Sequence, residues 1–279
     1  MIVSNNIKEI QTLMKDIKKQ GKTIGIVPTM GALHAGHLSL IKKAKEKCDF
    51  IFVSIFVNPT QFGEGEDFDK YPRTLQADLD KCESEGADLV FTPTNEIMYG
   101  EGYSTYIEAL NISQILEGAV RPIHFRGVCT VCTKLFNISM ADYGFFGQKD
   151  YQQVAVLKKM VRELNAPIEL VMCPIIRDTD NLALSSRNIY LSQEERERAL
   201  FINRGLFAAK EAFDKGERNI DALKKILTDT IMKGKPDHVD YIDIFDRDTL
   251  EKATDVDNAV LLIAAKYGST RLIDNMELI

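Results

Sequence analysis

No apolar run in the 279 residues approaches the roughly 18 that a membrane-spanning helix needs. The opening segment, MIVSNNIKEI, lacks the basic stretch and apolar core of a secretory leader. Both absences predict a cytoplasmic protein. A basic excess is missing as well. There are 35 Lys and Arg against 41 Asp and Glu, for a net charge of −6. That balance excludes broad electrostatic attraction to nucleic acid, but not a local basic cluster for a small anion. No cysteine framework is present either. Cys48, Cys82, Cys129, Cys132 and Cys173 are odd in number and scattered, which fits reduced thiols better than disulfides. Cys129-x-x-Cys132 follows His124, but no second Cys or His pair completes a zinc site. These two read as buried thiols on an apolar helix.

Two nucleotide motifs also fail. Gly21-Lys22-Thr23 resembles the end of a phosphate-binding loop, yet Asp16 stands where that loop requires glycine. It also precedes a strand where the motif should follow one. No G-x-G-x-x-G follows a strand. There is no internal repeat and no low-complexity segment.

Hydrophobic residues make up 45% and charged residues 27%, as in a soluble globular protein of one large or two modest domains. Asn6 with Glu9 predicts a capped helix running to about Gln20, stopped by Gly21. Strands are predicted at 23–27, 51–57, 88–91, 143–146 and 168–173, and helices at about 74–85, 124–138 and 151–164. Strands alternating with helices predict an α/β fold, a Rossmann-like parallel sheet with helices on both faces. The almost wholly apolar run from Phe50 to Val57 fits a strand covered on both sides. In such sheets, ligands gather at the C-terminal ends of the strands. After residue 177 the texture changes. Ser192 and Glu195 form a capping box opening a long helix, then come a helix at 220–233 and strands at 239–245, 259–266 and, shortest, 271–274. The expected division is a nucleotide-binding domain over 1–176 and a smaller α+β lid domain over 177–279, joined by the polar loop from Arg177 to Asn188.

What stands out is Pro28-Thr29-Met30-Gly31-Ala32-Leu33-His34-Ala35-Gly36-His37, between a predicted strand and a predicted helix. A helix N-terminus offers unpaired N–H groups and partial positive charge, which suit phosphate. His34 and His37, two of only four histidines, lie on one helical turn and can face the same way. Zinc is the other reading, but no third ligand lies near, and catalytic zinc takes three protein ligands.

Other candidates also follow strands. Gln61, in Asn58-Pro59-Thr60-Gln61, offers amide donors and an acceptor suited to a hydroxy acid, or is a surface glutamine. In Gly147-Gln148-Lys149-Asp150, Lys149 would neutralise phosphate or be solvated, and Asp150 would cap a helix or hold a ribose. Gln153 lies one turn further on. Ser185-Ser186-Arg187-Asn188 combines two hydroxyls with a guanidinium, an anion clamp. Asp78 reads as a solvated carboxylate or a Mg²⁺ ligand.

The His-bearing turn, Phe56-Val57-Asn58-Pro59-x-Gln61-Phe62, Tyr71-Pro72-Arg73, His124-Phe125-Arg126-Gly127-Val128, Phe146 to Gln153, and Leu184-Ser185-Ser186-Arg187-Asn188 together closely resemble the pantothenate synthetase (pantoate–β-alanine ligase) family. They span residues 28–188 in that family's order. The resemblance implies an enzyme joining pantoate to β-alanine with ATP through a pantoyl adenylate, usually as a homodimer with Mg²⁺. It implies ATP contacts at Met30, Gly31, His34, His37, Gly147, Lys149, Asp150, Ile176, Leu184, Ser185, Ser186 and Arg187. It implies that Gln61 and Gln153 hold pantoate, and that His34, His37, Lys149 and Arg187 carry the catalytic charge. The family often has a second acidic residue beside Asp78, where this chain has Ala77. Competing readings are a nucleotidylyltransferase of the same His-x-Gly-His class, which keeps the nucleotidyl group in its product, and an adenine-nucleotide sensor without turnover.

Overall fold

The side chain of Asn6 accepts hydrogen bonds from the backbone N–H groups of Lys8 and Glu9, and so opens helix α1 (Ile7–Lys19). Ile10, Met14 and Ile17, at helical spacing, form its buried stripe. Gly21, at φ +74°, turns the chain into strand β2 (Ile24–Thr29). The computed structural model, which describes residues 1–279, divides into two units. One comprises Met1–Gly147 and Val156–Pro174, the other Gln148–Ala155 and Ile175–Ile279.

The first unit begins with a strand that periodicity does not predict, β1 (Ile2–Ser4). After β2 come α2 (Ala35–Lys47), β3 (Phe50–Ile55), α3 (Leu75–Ser84) and β4 (Leu89–Phe91). Two single-turn helices, α4 (Asn95–Met98) and α5 (Glu117–Val120), precede α6 (His124–Ser139) and β5 (Tyr143–Gly147). Helix α7 (Tyr151–Glu163) then leads to β6 (Glu169–Cys173). The six strands are all parallel, in the order β1-β4-β3-β2-β5-β6. On one face Leu40, Ile41 and Ala44 of α2, with Cys82 of α3, pack against Val27, Ile51, Val53 and Val90. Ile24 and Ile26, out of phase with Val27, point to the other face, where α6 meets β2 and α1 meets α6. Strand order reverses between β2 and β5, so the crevice beyond their C-terminal ends is the switch point at which such sheets bind ligands.

In the second unit the capping box is present: Ser192 N donates to Glu195 Oε2 at 2.8 Å, and Glu195 N donates to Ser192 Oγ at 3.2 Å. It opens α8 (Gln193–Asp214), followed by α9 (Ile220–Met232) and an antiparallel sheet of β7 (His238–Asp246), β8 (Ala259–Tyr267) and β9 (Thr270–Leu278). Alternate residues of β8 (Ala259, Leu261, Ile263 and Ala265) pack with Ile202, Leu206, Leu223, Leu227 and Ile231 of the two helices. β9 runs four residues beyond the expected Asp274. The extension carries Asn275 and Glu277, whose polarity disguised it as loop.

Candidate active site

Directly after β2 the backbone enters the left-handed region at Gly31 (φ +86°) and Ala32 (φ +50°). This is strained for alanine, and it aims two successive N–H groups the same way. They meet Asp78 of α3: Ala32 N donates to Oδ2 at 2.9 Å and Leu33 N to Oδ1 at 2.7 Å. Thr74 Oγ1 adds a third donor at 3.0 Å, and Lys81 Nζ donates to the Leu33 carbonyl at 2.7 Å. Asp78 has no exposed surface, so the solvated reading does not hold. Both of its oxygens hold the turn: Oδ2 accepts from Ala32 N and Thr74 Oγ1, and Oδ1 from Leu33 N. Asp78 is thus the anchor of the His-bearing turn.

His34 is the N-cap of α2. Its Nδ1 accepts from Gly36 N at 3.1 Å, and His37 Nδ1 accepts from His34 N at 3.3 Å. The two rings lie 4.1 Å apart, centroid to centroid. An Nδ1 that accepts leaves the ring proton on Nε2. The pair thus presents two N–H donors at a helix N-terminus beside the switch point, an arrangement matched to phosphate oxygens.

Gln61 belongs to the same unit. It ends a 3-10 turn, Pro59–Gln61, capped by Asn58. Gln61 Nε2 lies 3.1 Å from Met30 Sδ, so the structure brings Gln61 beside the His-bearing turn. Asn58 is 1% exposed. Its Oδ1 accepts from Tyr99 Oη at 2.7 Å and Thr60 Oγ1 at 2.9 Å. That leaves Asn58 Nδ2 to donate to Gln61 Oε1 at 3.0 Å and to the Gly127 carbonyl at 3.2 Å. Burial pushes the Tyr99 hydroxyl up to about 12, so it keeps the proton it donates. The Gln61 carbonyl accepts from His124 Nδ1 at 3.1 Å and from Arg121, which also grips Glu66 at 2.5 Å. Burial first, and the Arg121 charge second, bring His124 down to about 4. Gly127 lies where α6 meets the turn: a Cβ there would stand 2.3 Å from the Thr60 carbonyl oxygen. Sequence reading singled out neither Asn58 nor His124 for a role, although both stand in motifs that carry the family resemblance.

The remaining expected residues, apart from Gly147 at the end of β5, belong to the second unit. Gln148–Asp150 is a 3-10 turn in which Lys149 Nζ is 3.6 Å from Asp150 Oδ1. Gln153 follows in the first turn of α7. The stretch read as a polar loop is partly ordered by a backbone pairing. Leu184 N donates to the Ile176 carbonyl at 3.0 Å, and Arg177 bridges Ala183 in antiparallel fashion. Ser185 caps a 3-10 turn, Ser186–Tyr190, by accepting from Arg187 N at 3.3 Å. Cys129 and Cys132 are buried, and burial raises both thiols, Cys129 to about 12. Neither is a thiolate at neutral pH. No group of three or more His, Cys, Asp or Glu side chains is arranged to hold a metal ion. No helix is long and apolar enough to cross a membrane.

Comparison with known proteins gives the family. The family model for pantoate-beta-alanine ligase matches residues 2–277. The pantothenate synthetase of Clostridium novyi is 50% identical over 276 residues, 99% of this chain and 98% of that one. The pantothenate synthetase of Acetivibrio thermocellus is 48% identical over 99% of both chains. The crystal structure of pantothenate synthetase from Thermus thermophilus superposes with a TM-score of 0.94 at 39% identity, covering 100% of this chain and 99% of that one. A Francisella tularensis pantoate-beta-alanine ligase, complexed with beta-gamma ATP and beta-alanine, gives 0.82 at 37% identity over 100% and 98% of the two chains. The chain belongs to the pantoate–β-alanine ligase family.

Proposed function

We propose that this protein condenses pantoate with β-alanine at the expense of ATP, releasing AMP and pyrophosphate. The observation that carries the reading is the anchored His34–His37 turn at the switch point, with Gln61 beside it. A carboxylate is a poor acylating agent, because its carbon is weakly electrophilic and oxide is a poor leaving group. Attack of the pantoate carboxylate on the α-phosphorus of ATP forms a P–O bond as pyrophosphate leaves. The β-alanine amine then attacks the acyl carbon of the adenylate, and AMP departs. The first step needs no general base, since the carboxylate is already ionised; it needs positioning and charge stabilisation.

His34 and His37 donate hydrogen bonds to phosphate oxygens through Nε2–H, and His37 in this way stabilises the charge that builds on departing pyrophosphate. Lys149 and Arg187 supply positive charge. Met30, Gly31, Gly147, Asp150, Ile176, Leu184, Ser185 and Ser186 complete the ATP contacts. Gln61 and Gln153 hold pantoate. Mg²⁺ enters as part of Mg·ATP, bound mainly by phosphate oxygens as Mg²⁺ in such sites usually is. The adenylate hydrolyses in water, so a lid formed by the C-terminal domain, in a cytoplasmic homodimer, completes the reading.

The test is ATP–pyrophosphate exchange with pantoate present and β-alanine absent. Pantoate-dependent exchange is expected, and its absence from folded, ATP-binding protein refutes adenylate formation. His37→Ala should cut that exchange by about 10²–10³-fold, as loss of a single transition-state donor does, with the thermal melt unchanged. Near-normal exchange would remove His37 from the mechanism.

A further inference from the structure

We propose that Asn275, on β9, is a positioning residue for Lys149, resting on the reading that Lys149 acts on ATP phosphate. The two residues are 126 positions apart, yet Asn275 Nδ2 donates to the carbonyl of Lys149 at 3.0 Å and to that of Gln148 at 2.8 Å. Asn275 Oδ1 accepts from Gln148 Nε2 at 3.3 Å. Both Nδ2 and Oδ1 of the side chain are thus engaged on the Gln148–Asp150 turn, and Asn275 is 2% exposed. Backbone carbonyls in a short turn need donors from elsewhere, and a carboxamide supplies two from one atom.

The residue before it does parallel work. Asp274, 3% exposed, holds the Arg177 guanidinium through both oxygens, at 2.6 and 2.9 Å. Arg177 opens the segment that leads to Ser185–Arg187, and Nη1 donates to the Asn181 carbonyl at 3.3 Å. The pairs Ile263↔Asp274 and Leu262↔Asn275 lock both residues into the β8–β9 ladder. Two consecutive residues of one strand therefore fix the origins of two segments that carry candidate phosphate-binding cations. A lysine ammonium rides on a flexible stem, so what the fold can fix is where that stem begins. Asn275 fixes it for Lys149.

The residue type matters. Aspartate at this position has nearly the same shape but would set carboxylate oxygens against two carbonyl oxygens. The experiment is a double-mutant cycle read by pantoate-dependent ATP–pyrophosphate exchange in the full-length chain. Asn275→Asp and Asn275→Ala are each made with Lys149 present and with Lys149→Ala. With Lys149 present, kcat/KM for ATP should fall by about 10- to 100-fold, the scale of a misplaced catalytic group, and by more than kcat/KM for pantoate. In the Lys149→Ala background the same changes should cost no more than about 2- to 3-fold, because residues acting through one group are not additive. Equal losses in both backgrounds would make Asn275 a general structural residue and overturn the proposal, as would no loss in either. If Lys149→Ala itself costs nothing, the functional reading of Lys149 fails and takes the proposal with it. Should Asn275→Asp not fold, Asn275→Ala, which adds no charge, completes the cycle.

Discussion

A fully buried carboxylate must find its solvation inside the protein, and Asp78 finds it in the N–H groups of Ala32 and Leu33. Asparagine at this site keeps the shape but turns an NH₂ toward one of those donors. Asp78→Asn should cost about 1–3 kcal/mol, the range for leaving a buried donor unsatisfied, and should slow pyrophosphate exchange by loosening the His-bearing turn. The Mg²⁺ concentration for half-maximal exchange should not move. A rise in that concentration, with stability intact, would indicate a metal role. His124 offers a second test. It folds neutral with a pKa of about 4, against about 6.5 in an unfolded chain. Between those values the unfolded state binds more protons, so stability falls as pH drops from 6.5 toward 4 and then levels off. The contribution is about 3 kcal/mol. Denaturant melts of the protein and of His124→Asn at pH 7 and pH 4.5 would check it: the difference between them should shrink at the lower pH. A pH-independent difference would show that burial does not hold His124 neutral.

At the scale of elements, the match of α6 to the Pro59–Gln61 turn depends on Gly127. An added methyl would stand 2.3 Å from the Thr60 carbonyl oxygen and 2.5 Å from Gln61 N, both backbone atoms that cannot step aside. Gly127→Ala should therefore destabilise by about 1–3 kcal/mol, as overpacking does, and raise the KM for pantoate more than that for ATP. Equal shifts in both constants would count against the placement of Gln61. What was legible in the sequence was local. The strand–turn–helix of the His-bearing segment, the Asn6 and Ser192 caps and the apolar β3 all follow from periodicity and capping chemistry. What was not legible depends on partners distant in the chain. Asp78 looked like a surface acid because its donors lie on another element. β9 looked short because Asn275 and Glu277 have the polarity of a loop, although one meets the Gln148 turn and the other Tyr151. Gly127 stood in a recognised motif, but only its packing gives the reason for glycine.

At the scale of the whole molecule, the second unit takes in Gln148–Ala155 as well as Ile175–Ile279. Gln148–Ala155 thus groups with residues that follow it by more than a hundred positions. The contacts explain this. Asn275 holds the carbonyls of Gln148 and Lys149, and Tyr151 Oη donates to Glu277 Oε1 at 3.1 Å and to the Arg247 carbonyl at 3.2 Å. Burial and the Glu277 charge push the Tyr151 hydroxyl upward, so it remains the donor across the physiological range. A fragment of residues 1–176 would lose Arg247, Asn275 and Glu277 together. Amide exchange around residues 148–151 should then be fast in that fragment and slow in the intact chain, while β2 and β3 stay protected in both. Equal protection in the fragment would mean that the Gln148 turn is held by the sheet alone. Fast exchange confined to that turn would mean that the Lys149 segment depends on β9 for its order, so that one of the cations proposed for catalysis is placed by a strand distant from it in the chain.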